Sequence, residues 1–337
     1  MEKILVTGGA GFIGSHTVVE LVDAGYTPII VDNFSNSDSN AIRGVEDIIK
    51  RSVKVYEGDC NDLQFMNDLF ITEKNITGVI HFAAYKAVGE SVGKPLEYYQ
   101  NNVGSLMILI DAMKNHNVEN LVFSSSCTVY GQPDHLPVTE LSPKKVAESP
   151  YGNTKQVCEE IIEDVVKSNA NFKAIALRYF NPIGAHPSSK IGELPIGVPN
   201  NLVPFVTQTA ARIREELSVF GDDYNTPDGT CIRDYIHVVD LAKAHVKSLQ
   251  HFNNQKTPYF DIFNIGTGKG NSVLEVVKTF EKVIGDKLKY KIDPKRSGDV
   301  EQVFGNVDKA NNELKWKAEL TLEDSLRDAW NWQKTLM

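Results

Sequence analysis

Tyr151 and Lys155 stand four residues apart in Tyr151-Gly152-Asn153-Thr154-Lys155, a spacing that puts both on one helical face, one turn from each other. A free tyrosine has a pKa of about 10 and is a poor base at neutral pH. A cation beside it favours the phenolate, which can take the proton of an alcohol. Just upstream, Ser124-Ser125-Ser126-Cys127-Thr128 supplies a cluster of hydroxyls, and Ser126 is placed to hydrogen-bond the same alcohol. As that proton leaves, the carbon bearing it can give hydride to a nicotinamide, which is the chemistry of a cofactor. Taken alone, Tyr-x-x-x-Lys is equally a solvated helix pair, and a serine at a strand end can simply cap a turn. The choice depends on what the rest of the chain builds around these residues.

The start of the chain builds a nucleotide cradle. Lys3-Ile4-Leu5-Val6 reads as a short buried strand running into Thr7-Gly8-Gly9-Ala10-Gly11-Phe12-Ile13-Gly14, followed by a helix from Ser15 to Ala24. Strand, glycine turn and helix in that order aim amides at a pyrophosphate. Gly9, Gly11 and Gly14 fit the general dinucleotide spacing, while Gly8, Gly11 and Gly14 fit the wider spacing of short-chain dehydrogenases. A second strand, Pro28 to Val31, ends in Asp32, where a carboxylate can hold both ribose hydroxyls. A 2′-phosphate there would meet like charge, and Asn33 follows instead of an arginine, so the cofactor reads as NAD. The competing reading, a glycine turn that merely packs a helix on a strand, does not account for the strand, helix and acidic residue in register.

At 337 residues, with 42% hydrophobic and 23% charged, the chain has the makeup of an ordinary globular protein. A formal charge of −9 argues against nucleic acid or a membrane surface as partner, since both want a basic patch. No apolar run approaches membrane-spanning length, and a first strand at residue 3 leaves no room for a signal peptide, so a cytoplasmic protein is expected. Cys60, Cys127, Cys158 and Cys231 are widely spaced without metal-type pairing; they read as free thiols, and no metal is expected.

Along the chain, Asn33 to Asn40 is a loop, Ala41 to Lys50 a helix and Val53 to Tyr56 a third strand ending at Gly58-Asp59-Cys60. Asp59 can accept a hydrogen bond from an adenine amino group or cap the helix Asn61 to Glu73. The fourth strand, Gly78 to Phe82, ends in the small residues Ala83 and Ala84, which let backbone pass close to a cofactor. A helix from Tyr98 to His116, a fifth strand from Glu119 to Phe123 and a sixth from Ala174 to Leu177 complete an alternation that means an α/β fold, a doubly wound parallel sheet. Composition turns to proline, glycine and asparagine after Phe180, placing a boundary there between a dinucleotide-binding domain, 1–180, and a smaller mixed α/β substrate domain, 181–337, with room for some later segments to pack back on the first. Beyond it come helices at Leu202 to Glu216, Val239 to His251, Val273 to Ile284 and Leu322 to Thr335. Arg233 and Arg296, in an acidic chain, are candidates to clamp phosphates, against the plainer reading of surface salt bridges.

Over essentially its whole length the sequence resembles the UDP-galactose 4-epimerase family of extended short-chain dehydrogenases/reductases. The resemblance rests on Thr7 to Thr17, His81-Phe82-Ala83, Lys86 to Ser91, Pro95 to Tyr99, Ser124 to Gly131, Tyr151 to Lys155 and Leu177 to Pro187. It continues through Pro199 to Leu202, Asp228-Gly229-Thr230, Arg233 to His237 and Gly270 to Val273. It implies a redox-neutral reaction on a UDP-hexose: hydride leaves carbon 4, the 4-keto sugar swings about its phosphate link, and hydride returns to the other face. Ser126, Tyr151 and Lys155 are then the catalytic group. The cofactor set is Gly8, Gly11, Phe12, Ile13, Gly14, Asp32, Asn33, Phe34, Ser35, Asn36, Ser37, Asp59, Cys60, Phe82, Ala83 and Ala84, joined by Lys86, Asn101, the three catalytic residues and Phe180.

The resemblance also implies a nucleotide-sugar site of Lys86, Ser126, Tyr151, Tyr179, Asn181, Asn201, Leu202, Ser218, Val219, Phe220, Arg233, Tyr235, Arg296, Asp299 and Val303. Val303 would stand beside the sugar's 2-substituent, where a small residue leaves room for an N-acetyl group that a tyrosine would exclude; otherwise it is a core valine. A homodimer through helices near 98–116 and 151–168 is expected. The departures from the family pattern are Ala84-Tyr85 for glycine-leucine and Cys127 for alanine. A related nucleotide-sugar dehydratase would want an Asp-Glu pair where Cys127-Thr128 stands, and a non-enzymatic NAD-sensing protein of this fold would tend to lack Tyr151 and Lys155.

Overall fold

The fold, seen in a computed structural model that describes residues 1–296 and 299–337, is built on strands whose side chains alternate between two cores. The first half supplies β1 (Lys3–Thr7), β2 (Thr27–Asp32), β3 (Lys54–Glu57), β4 (Ile76–His81), β5 (Asn120–Ser126) and β6 (Lys173–Tyr179). Between them run α1 (Phe12–Asp23), α2 (Asn40–Ile49), α3 (Leu63–Thr72), α4 (Val88–Gly93), α5 (Pro95–Tyr98), α6 (Gly104–Asn115) and α7 (Pro150–Ser168). The second half adds β7 (Asn181–Ile183), α8 (Leu202–Ala210), β8 (Leu217–Phe220), β9 (Ile232–Arg233), β10 (Tyr235–His237), α9 (Val238–His251) and β11 (Tyr259–Ile265). It finishes with β12 (Asn271–Ser272), α10 (Val273–Ile284), β13 (Tyr290–Asp293), β14 (Gln302–Val303) and α11 (Leu322–Thr335).

A seven-stranded sheet in the order β11-β6-β5-β4-β1-β2-β3 is parallel throughout, the doubly wound arrangement expected from the alternation. Its strands are covered on both faces, so their residues divide by parity. Ile4 and Val6 of β1, with Ile30, Ile80 and Val122, join one core under α1 and α9; Leu5, Ile29, Val79, Leu121 and Phe123 join the other under α3, α6 and α7. Winding reverses at β1, which lies between β2 and β4, and the crevice at the carboxyl ends there is where such sheets take ligands.

The sheet's outer strand β11 and the helix α9 come from beyond residue 180. The remaining later elements form small mixed sheets: β7 with β10, β8 with β13, and β9 between β12 and β14. They pack around a separate core that includes Val203, Val219, Tyr235, Val277, Phe280 and Leu326.

Two expected helices differ. The span Tyr98 to His116 is broken into α5, a π-helical turn at Tyr99–Val103, and α6. A Cβ on Gly104 would stand 2.8 Å from Oδ1 of Asn61, so the glycine admits the close approach at which the turn widens. The helix expected to run to Glu216 stops at Ala210, because Arg212 takes a left-handed φ of 60° and the chain turns towards β8.

Candidate active site

The glycine loop is shaped for a ligand that touches backbone. Gly8 has a φ of +68°, and a Cβ there would come within 2.8 Å of the Ala83 nitrogen; one on Gly14 would come within 2.2 Å of the Gly8 carbonyl oxygen. Gly11 begins α1 without a side-chain cap, which leaves the first-turn amides without intrahelical partners. At the end of β2, buried Asp32 accepts hydrogen bonds from the Ala10 amide (2.9 Å) on one oxygen and from the Phe34 amide (3.0 Å) and Ser37 hydroxyl (2.8 Å) on the other. A carboxylate has roughly four acceptor positions, so capacity for a ribose hydroxyl remains.

The loop after Asp32 is wrapped around that carboxylate, with Phe34 at a φ of 52°. Asn33 accepts from the Ser35 amide (3.0 Å) and donates weakly to Asp59 (3.4 Å). Asp62, not Asp59, caps α3, accepting from the Phe65 amide at 3.0 Å, and the Asp59 carboxylate takes hydrogen bonds from Asn61 and Asn33. Cys60 is buried, and burial pushes its thiol up to about 12. Phe82 and Ala83 bring the end of β4 over the glycine loop, their amides donating to Thr7. Asn36 is exposed and Ala84 half-buried on the same side. A cradle that any Cβ would fill, with bare amides and an acidic strand end, fits a dinucleotide.

The catalytic candidates meet where β5 and α7 adjoin. β5 runs on past Phe123 to end at Ser126, whose hydroxyl oxygen accepts from the Thr128 amide (3.2 Å) and whose hydroxyl also faces the Tyr151 phenol. Ser149 caps α7 by accepting from the Gly152 amide at 3.1 Å, which starts the helix so that Tyr151 and Lys155 both face inward, 9% and 3% exposed. Lys155 donates to the Ser124 carbonyl at 2.7 Å, and its Nζ lies 5.8 Å from the centre of the Tyr151 ring.

Burial pushes the Tyr151 phenol up to about 12, partly offset by the Ser126 hydroxyl, and burial brings Lys155 down to about 8. Desolvation thus dominates the Tyr151 phenol in the polypeptide alone, and the phenolate calls for further positive charge in the cleft, as from a nicotinamide ring. Tyr179 is buried with its hydroxyl bonded to Ser124, and Phe180 lies against Gly266 and Gly305, where a Cβ would approach its ring to 2.9 Å and 2.5 Å.

The substrate candidates form a strip leading away from this point. Val303 pairs with Arg233 across β14 and β9 and is buried with Cys127, Tyr130 and Phe180, so the strip is continuous with the reacting end. Arg233 donates to the carbonyls of Ile232 (2.9 Å) and Glu301 (3.3 Å), and among the described residues it has no carboxylate partner. Arg296 does have one, donating to both oxygens of Asp299 at 2.9 and 3.2 Å, and its guanidinium lies 4.6 Å from the centre of the Phe220 ring. Without a ligand, Arg296 is thus engaged in a salt bridge, while Arg233 makes none among the described residues. Ser297 and Gly298, between Arg296 and Asp299, lie outside the described residues.

Ser218 and Val219 lie in β8 beside Phe220, and Asn181 and Tyr235 pair across β7 and β10. A hollow of about 630 Å³ adjoins this end, its lining of Asp222, Asp223, Asp293 and Lys295 being acidic on balance and so unfavourable to phosphate.

Sequence reading missed one carboxylate on this strip. Glu193 accepts from Asn201 Nδ2 at 2.6 Å and Lys86 Nζ at 3.5 Å, while its own carbonyl accepts from Trp332 at 3.0 Å. Leu202 follows Asn201 as the first residue of α8. Asn101 lies in the π-helical turn, where it accepts from Asn61 Nδ2 at 3.3 Å. A glutamate inside a proline- and glycine-rich run carries no spacing signal; only the fold brings it to Lys86.

A doubly wound sheet, a glycine loop with an acidic second strand, and a Ser-Tyr-Lys group at β5 and α7 define a nucleotide-dependent enzyme of the short-chain dehydrogenase/reductase class. Residues 5–329 match the family described as GDP-mannose 4,6 dehydratase. The chain is 50% identical over 98% of its length to a UDP-glucose 4-epimerase of Dictyostelium discoideum, covering 96% of that protein. It is 49% identical over 98% of its length to one of Bacillus subtilis, covering 97%. The crystal structure of UDP-glucose 4-epimerase from Bifidobacterium longum in complex with NAD+ and UDP superimposes with a TM-score of 0.95 at 49% identity, over 99% of this chain and 98% of that one. The chain belongs to the UDP-glucose 4-epimerase family, whose members are NAD-dependent isomerases.

Proposed function

We propose that this protein interconverts UDP-galactose and UDP-glucose at carbon 4 of the hexose, through a transient 4-keto sugar and a retained NAD. The observation that carries the reading is the convergence of Ser126, Tyr151 and Lys155 where α7 meets the end of β5, in the same sheet whose β1 leads into the glycine loop. Bound NAD accepts hydride from carbon 4 and returns it. Tyr151 takes the proton from the 4-hydroxyl and later gives it back, with Ser126 donating to the same oxygen and Lys155 supplying the adjacent positive charge. Arg233, Arg296, Asp299 and Phe220 hold the nucleotide end, and Asn181, Asn201, Lys86 and Tyr179 surround the sugar. Cys127-Thr128, in place of an Asp-Glu pair, disfavours a dehydratase.

Purified protein incubated with UDP-galactose and no added cofactor produces UDP-glucose under this reading; absence of product in protein that releases NAD on denaturation overturns it.

Three finer proposals accompany it. Buried Val303 leaves room for an N-acetyl group at carbon 2. A structure of 36% identity and TM-score 0.85, described as the UDP-Glc/GlcNAc 4-epimerase of Campylobacter jejuni, lends support. The exposed apolar residues Val92, Leu96 and Met107 on α4 to α6 suit a second copy of the chain, giving a homodimer that sedimentation tests. No helix among the described residues is long and apolar enough to cross a membrane, and four buried free thiols suit the reducing cytoplasm.

A further inference from the structure

We propose that Glu159 is a positioning residue for proton transfer. Its buried carboxylate, held by Arg178 and Ser125, fixes β5 and β6 against α7 so that Ser126, Tyr151 and Lys155 meet on one alcohol. The proposal rests on the reading of those three as the reacting group.

Glu159 follows Lys155 by one helical turn on the inward face of α7 and is 1% exposed. One oxygen accepts from the Ser125 hydroxyl (2.6 Å) and from Arg178 Nε (2.8 Å); the other accepts from Arg178 Nη2 (2.6 Å). Sheet register sets Ser125 opposite Arg178 and Ser126 opposite Tyr179. One carboxylate therefore ties three elements together at a point one residue from Ser126, one residue from Tyr179 and one turn from Lys155. The guanidinium is braced from its other side by the Tyr130 ring, 4.9 Å away, whose hydroxyl donates to Asn264 at 2.6 Å.

Stability alone is a poor account of this arrangement. Desolvating two charges costs several kcal/mol, and well-packed apolar residues commonly replace such a pair without loss. Arg178 also keeps one nitrogen, Nη1, buried without a partner among the described residues, a further cost that geometry at the reacting end would justify.

The pair also sets the charge near Lys155. Facing or adjoining that ammonium are Tyr151, Cys158 and Glu159 on its own helix, His81 on β4 and the Arg178–Glu159 pair reaching from β6; Lys144 lies 3.7 Å from Glu159. Burial keeps His81 neutral and lowers Lys155 to about 8, while Cys158 and then Glu159 raise Lys155. Removing the carboxylate's charge leaves Lys155 near an unpaired Arg178, so its ammonium is lost at lower pH.

The test uses the full-length protein with Ser125→Ala, which deletes one hydrogen bond and leaves the ion pair, and Glu159→Gln, with Tyr151→Phe as control. Ser125→Ala should fold and retain NAD as wild type does, with unchanged KM for UDP-galactose and kcat lower by about fivefold to tenfold, the equivalent of one hydrogen bond. Glu159→Gln should move the alkaline limb of the kcat–pH profile to lower pH, a change that mere loss of packing would not produce. If Glu159→Gln does not fold, the kcat–KM split of Ser125→Ala decides alone. Wild-type kcat in Ser125→Ala, alongside an inactive Tyr151→Phe, overturns the proposal; an active Tyr151→Phe instead overturns the assignment of the base.

Discussion

Lys155 gives its ammonium to the Ser124 carbonyl at 2.7 Å and not to the Tyr151 phenol, from whose ring centre Nζ stands 5.8 Å away. The lysine is thus anchored to the strand that carries Ser126, and its influence on the phenol is electrostatic. Because burial of Tyr151 prevails in the polypeptide by itself, the base should be switched on only when the cleft holds further positive charge.

Tyr151→Phe should retain NAD and lose epimerisation by about three orders of magnitude or more, since in the proposed site the loop and Asp32 hold the cofactor while proton transfer needs the phenol. Coupled assay of UDP-glucose formation, with NAD measured after denaturation, checks it. Near wild-type turnover would leave Ser126 or a water as the base.

Lys155→Met should change the pH dependence of stability in a defined direction. The folded-state pKa of Lys155 is depressed to about 8 from 10.5, so below 8 both states are charged and the folded state bears the full burial penalty. Between about 8 and 10.5 the unfolded state binds more protons, and wild-type stability gains with rising pH. The methionine variant lacks this term, so its melting temperature relative to wild type should be highest near pH 7 and fall as pH rises through that window. A difference independent of pH would show that Lys155 is not desolvated as described.

Asp32→Ala should weaken NAD retention and reduce discrimination against NADP if, as proposed, the carboxylate accepts from ribose and repels a 2′-phosphate. It should also loosen the loop, since the Ala10, Phe34 and Ser37 hydrogen bonds end on that side chain. Chromatography of the nucleotide released from denatured protein reads the first effect; recovering NADP from wild type would contradict the role given to Asp32.

Val303→Tyr should abolish interconversion of UDP-N-acetylglucosamine and UDP-N-acetylgalactosamine while keeping most UDP-galactose turnover, because a phenol ring and an acetamido group cannot share one volume. Equal loss of both activities would mean that Val303 only packs the cluster with Cys127 and Phe180.

The fold was legible where side-chain type and period carry the information. The alternation of strands and helices, the glycines and Asp32 were enough for a doubly wound sheet and an NAD cradle. Helix ends were less so: Asn101 sits in a π-helical turn that no period announces, and α8 stops where Arg212 takes a left-handed conformation that its residue type does not signal. Asp59 and Asp62 illustrate the limit at the site, since either could cap α3 and only coordinates assign the cap to Asp62. Glu159 was within reach, four residues past Lys155 on the same face, but its partner Arg178 comes from another strand and its importance appears only once register places it opposite Ser125.

The late position of β11 has a consequence for how the protein is made. Until residues 259–265 have emerged from the ribosome, β6 has no neighbour on its outer side, and the strand that leads to Tyr179 and Phe180 presents an open row of amides and carbonyls. Phe180 likewise lacks Gly266 and Gly305 against its ring until most of the chain exists. The nascent protein therefore passes through a long interval with an exposed sheet edge, the condition in which chains pair with one another.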